Sequence, residues 1–289
     1  MRKDIGEAIK NKDYIQGELV WYGFTFSPDI KVLPFVPLAD IHYGNPLFSE
    51  RHLDRTIKYI LDTPNCKTFL GGDLFDCVLK SSVGDIYHQI GSPQEQRDWL
   101  LEKLYPIKDR ILGAVSGNHD RRLTREVGVD FISDIAKEFH IPYRDEGLKI
   151  RVTFGRGANG DSHSSYTYSI YYTHGYGGAR TDGARIAKIQ RTSTFVNADL
   201  YCMSHDHQVQ VQPSIYLEDD PRSHIDKDTG FRMGKVVVKP KMLVKTNAYI
   251  KWGGHGEING FAPVSLIAPK VRFMGDKREK EIIVEVSSG

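Results

Sequence analysis

The chain has 289 residues, 40% of them hydrophobic and 26% charged, with a formal net charge of +2. It is long enough to bury a sizeable core, and its charge is too balanced to announce a polyanionic partner, so any phosphate site must be locally built. Three cysteines, Cys66, Cys77 and Cys202, are too few and too scattered for a disulfide framework or a zinc knuckle, and suit small apolar residues in a reducing compartment. The N-terminus shows no apolar run like that of a signal peptide, and no window approaches the roughly 20 apolar residues of a membrane helix. The expectation is a soluble, cytoplasmic protein without a membrane partner.

Residues 1–30 read as a short polar helix followed by a strand, Glu18 to Phe26. The body, 31–208, opens with a dense apolar run from Lys31 to Leu38 that reads as a buried strand. Ser49 is placed to cap a helix carrying Leu53, Ile57, Ile60 and Leu61 on one face. Thr68 to Leu70 is the next strand. Ser92-Pro93-Gln94-Glu95 is a helix start with a cap, a proline and a capping-box glutamate. Ile111 to Val115 is another strand, and Phe131, Ile132, Ile135, Ala136 and Phe139 recur at helical spacing before Pro142.

From Leu148 onward, alternating runs predict a largely antiparallel second sheet: Lys149–Phe154, Tyr166–Tyr172, Val209–Tyr216, Phe231–Val238, Met242–Ile250 and Glu281–Val286. A helix from Asp182 to Thr192 interrupts it. Asn159–Ser165 and Asp219–Gly230 read as loops, the latter as the best candidate for disorder. The expected fold is a single α/β domain: a four-layer α-β-β-α sandwich of two mixed sheets flanked by helices. Residues 209–289 would complete the second sheet and cover the cleft.

Five short blocks carry chemistry: Asp40-Ile41-His42, Gly72-Asp73-Leu74-Phe75-Asp76, Gly117-Asn118-His119-Asp120, His174, and His205-Asp206-His207. Each follows an apolar strand, and ligands of α/β sheets collect at the carboxyl ends of strands. Carboxylates and imidazoles together suit Mn²⁺, Fe²⁺ or Zn²⁺ better than Mg²⁺ or Ca²⁺. A carboxylate shared by two cations offsets their repulsion, which makes a two-metal hydrolytic site at the sheet edge the simplest account.

These blocks and their order resemble the calcineurin-like metallophosphoesterase superfamily, which reads D-x-H, G-D-x-x-D, G-N-H-D/E, H and G-H-x-H. The one departure is Ser204, where the last block normally has glycine. The resemblance implies that Asp40, His42 and His207 hold one metal, that Asn118, His174 and His205 hold a second, and that Asp73 bridges them. It implies that His119 assists the leaving group, that Asp76 and Asp120 orient those histidines, and that a metal-bridging hydroxide attacks phosphorus. Two divalent ions are expected, manganese first, with iron or zinc as alternatives.

The second and third blocks are similar to those of the nuclease and phosphodiesterase branches, which points to DNA, RNA or a nucleotide as the phosphate-ester substrate. A phosphomonoesterase or protein phosphatase, and a non-catalytic scaffold, are the alternatives. Arg121, Arg122 and Arg125 follow the third block, and Arg180 trails His174. Arg121 and Arg122, with Asn118, are the candidate substrate contacts. Arg185, Lys188 and Arg191 share a helix face that either meets phosphates or is simply solvated. His255, within Trp252-Gly253-Gly254-His255-Gly256, borders the cleft or sits in a tight turn between strands. The sequence leaves the oligomeric state open.

Overall fold

The computed structural model describes residues 20–286 apart from 81, 83–85, 159, 161–164, 264 and 278. The polar helix expected near the N-terminus and most of the Asn159–Ser165 loop lie outside the described residues. One six-stranded sheet contains β2 (Val32–Leu38), β3 (Lys67–Leu70), β4 (Ile111–Val115) and β5 (Tyr143–Arg144), all parallel in succession, extended antiparallel by β11 (Lys270–Met274) and β12 (Glu281–Glu285). The other runs β1 (Trp21–Phe26), β6 (Gly147–Phe154), β7 (Tyr166–Thr173), β8 (Leu200–Met203), β10 (Arg232–Lys245) and β9 (Gln210–Ile225).

Alternation of side chains across the strands builds the layers. From the first sheet, Leu33, Phe35, Phe69, Leu112 and Val115 pack against Leu148, Ile150, Val152, Tyr168, Ile170 and Leu200 of the second. The opposite face of the first sheet, with Val36, Leu38, Leu70 and Ala114, is covered by α1 (Glu50–Asp62), α2 (Pro93–Leu104) and α4 (Phe131–Glu138). On the outer face of the second sheet, Tyr201, Met203 and Leu243 meet Ile189 of α5 (Asp182–Phe195). The result is the expected four-layer sandwich.

Local chemistry accounts for the helix starts. In α2, Ser92 accepts from the Glu95 amide and Glu95 bonds back to the Ser92 amide, a complete capping box. Ser49 precedes α1 but caps no amide; its hydroxyl meets His52 Nδ1 at 2.7 Å. Leu61, expected on the buried face, is 42% exposed, because the face closes at Leu53, Thr56, Ile57 and Ile60.

Three expectations need correction. Residues 209–289 do not all join the second sheet: β9 and β10 do, but β11 and β12 extend the first by pairing with β2. Asp219–Gly230 is mostly strand, since β9 and β10 form one long hairpin paired from Gln210↔Lys245 to Ile225↔Arg232, with a register shift between Gly234 and Val236. Its polar residues are those of a ribbon exposed on both faces, where alternation carries no burial signal. The Trp252–Gly256 segment is not a turn between strands but leads into the short helix α6 (Gly254–Ile258). All three cysteines are buried thiols. No helix among the described residues is long and apolar enough to cross a membrane.

Candidate dinuclear metal site

Parallel strands point their carboxyl ends the same way, so β2, β3 and β4 deliver Asp40, Asp73 and Asn118 to one edge of the first sheet. β7 and β8 are likewise parallel and deliver His174 and His205 to the facing edge of the second. The two sets meet between the sheets. His174 Nε2 lies 3.1 Å from Asp73 Oδ2 and 3.2 Å from Asn118 Oδ1, and His205 Nδ1 is 3.3 Å from His174 Nε2. On the other side, His42 Nε2 lies 3.1 Å from His207 Nε2, and His207 Nε2 is 3.5 Å from Asp40 Oδ1.

Donors bound side by side to one cation at about 2.1 Å stand about 3.0–3.4 Å apart, close to the 3.1–3.5 Å of these pairs, though His42 Nε2 stands 3.9 Å from Asp40 Oδ1. Three groups of side chains lie close enough to share a metal: Asp40, His42 and His207; Asp73, His174 and His205; and His42, Asp76 and His119, which shares His42 with the first. Asp40 Oδ1 is fully buried and has no hydrogen-bond partner among the described residues, a state that a cation would resolve.

Each carboxylate is split between two tasks. Asp73 Oδ1 accepts from the His119 amide at 2.8 Å, which aims Oδ2 at the histidines. Asp40 Oδ2 accepts from the His205 amide at 2.9 Å, which aims Oδ1 at His207. The imidazoles are fixed by the same logic. Gly71 O at 2.8 Å takes a hydrogen from His174 Nδ1, and Gly177 O at 2.8 Å takes one from His205 Nε2. Each ring then turns its lone pair toward the cluster.

The backbone is strained at these ligands. Asp40 (φ 50°), His42 (φ 51°), Asp73 (φ 48°), His205 (φ 75°) and His207 (φ 57°) all occupy the left-handed region. Such residues cost of order 1 kcal/mol or more each, and they cluster where surroundings over-determine them. Here Asp40 N bonds Gly72 O and His42 N bonds Asp73 O, both at 3.0 Å, which ties the first two blocks together. Gly72 (φ 82°) and Gly117 admit no larger residue: a Cβ on Gly117 would lie 2.0 Å from Asp73 Oδ1. Ser204 needs no left-handed backbone, and its Oγ bonds Tyr172 Oη at 2.9 Å, so a glycine is dispensable there.

Electrostatics follow the geometry. Burial works to raise the Asp73 carboxyl, but His174, His119 and His42 overcome it and hold the group well below the ordinary range. Burial opposes charge on His174, yet Asp73 and Asp40 lift it to about 9. Burial, reinforced by His174, drops His205 to about 4. In metal-free protein at neutral pH, a proton on His174 thus occupies the place between Asp73 and Asn118. Its raised value stabilises the metal-free fold fully below about 6.5, and that contribution is lost as pH rises through about 9. Metal must displace this proton. Calorimetric titration at pH 7 in buffers of different ionisation enthalpy should show about one proton released from this site per chain; buffer-independent heats would contradict it.

His119 sits at the start of α3 (Asn118–Val127), a helix the periodicity did not reveal. Its Nδ1 is 3.0 Å from Asp76 O and 3.5 Å from Asp76 Oδ1, which leaves Nε2 as the nitrogen available to a substrate oxygen. Asp76 Oδ1 also lies 3.4 Å from His42 Nδ1, near enough to attract the ring but without a hydrogen bond to it. Asp120 does not orient a histidine. Its Oδ2 accepts from the Asp73 and Gly117 amides, so it locks the loop backbones rather than a ring. Burial beside Asp73 raises its carboxyl to about 7.

The basic residues separate. Arg121 is turned into Asp145 (2.9 Å) and the carbonyls of Ser116 and Asp145, so it stitches α3 to the segment before β6 and does not face the cluster. Among the described residues, Arg122 bonds Ser82 Oγ at 2.9 Å. Arg185 is buried on Asp182 and two carbonyls. Lys188 pairs with Asp206, so the α5 face is a structural one.

Sequence reasoning missed Lys245. At the end of β10, fully buried, its Nζ reaches Asp206 Oδ2 at 2.7 Å and Ser204 O at 2.8 Å. Burial brings the amine down to about 8 against the pull of Asp206. The pair anchors the loop between the two histidine ligands. Nothing in a strand ending Met242-Leu243-Val244-Lys245 flags a lysine as buried; the signal was Asp206, an acid between two ligands that requires a cation. Lys245→Met strips a buried carboxylate of one partner and should lower stability by about 3–5 kcal/mol. It should also weaken metal binding. Denaturant unfolding of metal-free protein checks this, and a loss below about 1 kcal/mol would contradict it.

No family model and no curated protein matches the chain. Similar solved structures include a conserved uncharacterized protein of Streptococcus pneumoniae TIGR4 described as a predicted phosphoesterase, at 12% identity and TM-score 0.36, covering 89% of this chain and 94% of that one. Zinc-complexed Vps29 of Entamoeba histolytica is similar at 11% identity and TM-score 0.34, covering 88% and 99%. GAP50 of Plasmodium is similar at 11% and 0.41, covering 89% and 84%. At such scores the site must be read from its own side chains. Its two mixed sheets, flanking helices and gathered aspartates and histidines are the arrangement that the calcineurin-like resemblance implies.

Proposed function

We propose that this protein is a dinuclear metal-dependent phosphodiesterase acting on nucleic acid or a nucleotide. One observation carries the reading: Asp73 Oδ2 lies 3.1 Å from His174 Nε2 and 3.9 Å from His42 Nε2, so a single oxygen serves both histidine clusters. A pair of divalent cations held there, manganese in this reading, would supply an acidified water and neutralise charge on the phosphoryl oxygens.

The protein's own residues do the rest. Asp40 and Asp73 cannot rotate away, because backbone amides hold their second oxygens. His119, steadied through Nδ1 by Asp76, presents Nε2 to the departing oxygen and supplies its proton. Among the described residues no side chain is placed as a nucleophile: burial pushes the nearby Cys77 thiol far up, and this reading has hydrolysis proceed without a covalent intermediate. The diester reading takes Arg122 and Arg180, which have no carboxylate partner among the described residues, as contacts for phosphates flanking the scissile one, as a polynucleotide would require.

The test is hydrolysis of bis(4-nitrophenyl) phosphate beside 4-nitrophenyl phosphate, by metal-stripped protein resupplied with Mn²⁺, Zn²⁺ or Mg²⁺. Restored activity with preference for the diester is expected. Preference for the monoester would move the substrate to phosphoproteins or small metabolites, and inactivity with two ions bound would end the hydrolase reading.

A further inference from the structure

Beyond β10 the chain makes an excursion whose two ends are fastened to the metal cluster. Tyr249 N bonds Asp40 O at 2.9 Å at the start, and Ser265 N bonds His207 O at 3.3 Å at the end. Ala248 N closes the base on Ser265 O at 3.2 Å. Compact surface loops with joined ends are a common place for recognition. This one carries an unusual load for a surface segment. Trp252 is 44% exposed and Ile258 84% exposed, and Trp252 Nε1 donates to Phe261 O at 2.9 Å, which sets Phe261 beside it.

The glycine-rich run after His174 meets this loop from the other side. Gly177 O holds His205 Nε2, Gly178 approaches the Phe261 ring, and the Arg180 guanidinium lies 5.6 Å from the centre of that ring. Tyr176, half exposed, stands in the same run. Gln208, next to His207, donates to Pro263 O and so joins the third side. A partly exposed aromatic ring, an arginine with no acidic partner among the described residues, and the half-exposed Tyr176 ring thus border the His205–His207 side of the cluster. A free phosphate has no use for such a surface; a flat ring attached to a phosphate does.

We infer that Phe261 and Arg180, on the rim formed by the 249–261 loop and the 175–180 run, are a subsite for the nucleoside on the non-leaving side of a phosphodiester. Phe261 offers the stacking face and Arg180 the positive charge for the adjoining phosphate. The inference rests on the phosphodiesterase reading and gives its substrate a chemical class: a nucleotide ester with the base adjoining the scissile phosphate.

Two esters with the same leaving group test it, thymidine 5′-(4-nitrophenyl phosphate) and methyl 4-nitrophenyl phosphate, each turned over by manganese-loaded protein. The ratio of kcat/KM for nucleoside over methyl ester should exceed about ten, and fall about tenfold in Phe261→Ala and in Arg180→Ala. Phe261→Tyr should keep it. The ratio cancels any general loss of active protein. A wild-type ratio near one, or one unchanged in both alanine variants, overturns the subsite while leaving the phosphodiesterase reading intact. If neither ester is cleaved, that reading fails, and calorimetric binding of thymidine 5′-phosphate decides the subsite separately. Binding weakened about tenfold by Phe261→Ala supports it, and binding absent or equal in both proteins overturns it.

Discussion

Asp73→Asn is expected to lower kcat by about 10³-fold or more and to reduce bound metal from two ions per chain to one or none. The carboxylate's oxygens have separate duties, and only one survives the change. An amide oxygen can still accept from the His119 N–H at 2.8 Å, so the loop should keep its place. The other position becomes an NH₂ group facing His174 and His42, the side where a lone pair is required. The negative charge that offsets repulsion between two cations is lost as well. Metal analysis after dialysis, together with the rate, checks this. A variant that retains two tightly held ions would remove Asp73 from its bridging place.

His119→Ala is expected to act differently. Its ring contacts Asp76 and stands edge-on to His42 at 4.7 Å between centroids; it shares a third possible metal group with those two residues, outside the two groups that the resemblance assigns to cations. Turnover should fall by about 10²–10⁴-fold, the ordinary contribution of a positioned general acid, with metal content still near two. The loss should shrink for esters with acidic leaving groups, which depart without a proton. Equal losses for 4-nitrophenyl and simple alkyl leaving groups would argue that His119 steadies charge on phosphorus rather than protonating the departing oxygen.

The contrast between the two variants separates holding the metals from using them. It also reflects how the residues are placed. Asp73 sits at the end of a central buried strand with left-handed backbone, where nothing can relax around it. His119 sits in the first turn of α3, 23% exposed, where a truncated side chain leaves room for water.

The site was legible in the sequence because its blocks combine a short apolar strand with a polar turn, and both signals are local. β4 and β8 begin and end where their apolar runs do, at Ile111–Val115 and Leu200–Met203. What escaped notice depends on distant partners. β11 alternates over only five residues, Lys270 to Met274, and its place is set by Val271 and Phe273 finding β2 and the inter-sheet core. The β9–β10 hairpin runs through polar residues that propensity assigns to loops, because pairing along the ribbon, not burial, holds it extended. Arg121, adjacent in sequence to His119, was a fair candidate for substrate. Its side chain leaves the site because Asp145 lies on the opposite flank, a fact no spacing encodes. Lys245 completes the histidine loop from a strand far along the chain, and Phe261 reaches the rim only because its loop is tied to Asp40 and His207.

Two cations joined through Asp73 are the centre of this account, and low-temperature electron paramagnetic resonance of manganese-titrated, metal-stripped protein tests them most directly. The expected result is uptake of two ions per chain with the multiline signal of an exchange-coupled pair, collapsing to an isolated-ion signal in Asp73→Asn. Saturation at one ion, or two ions with uncoupled signals in the wild type, would contradict it.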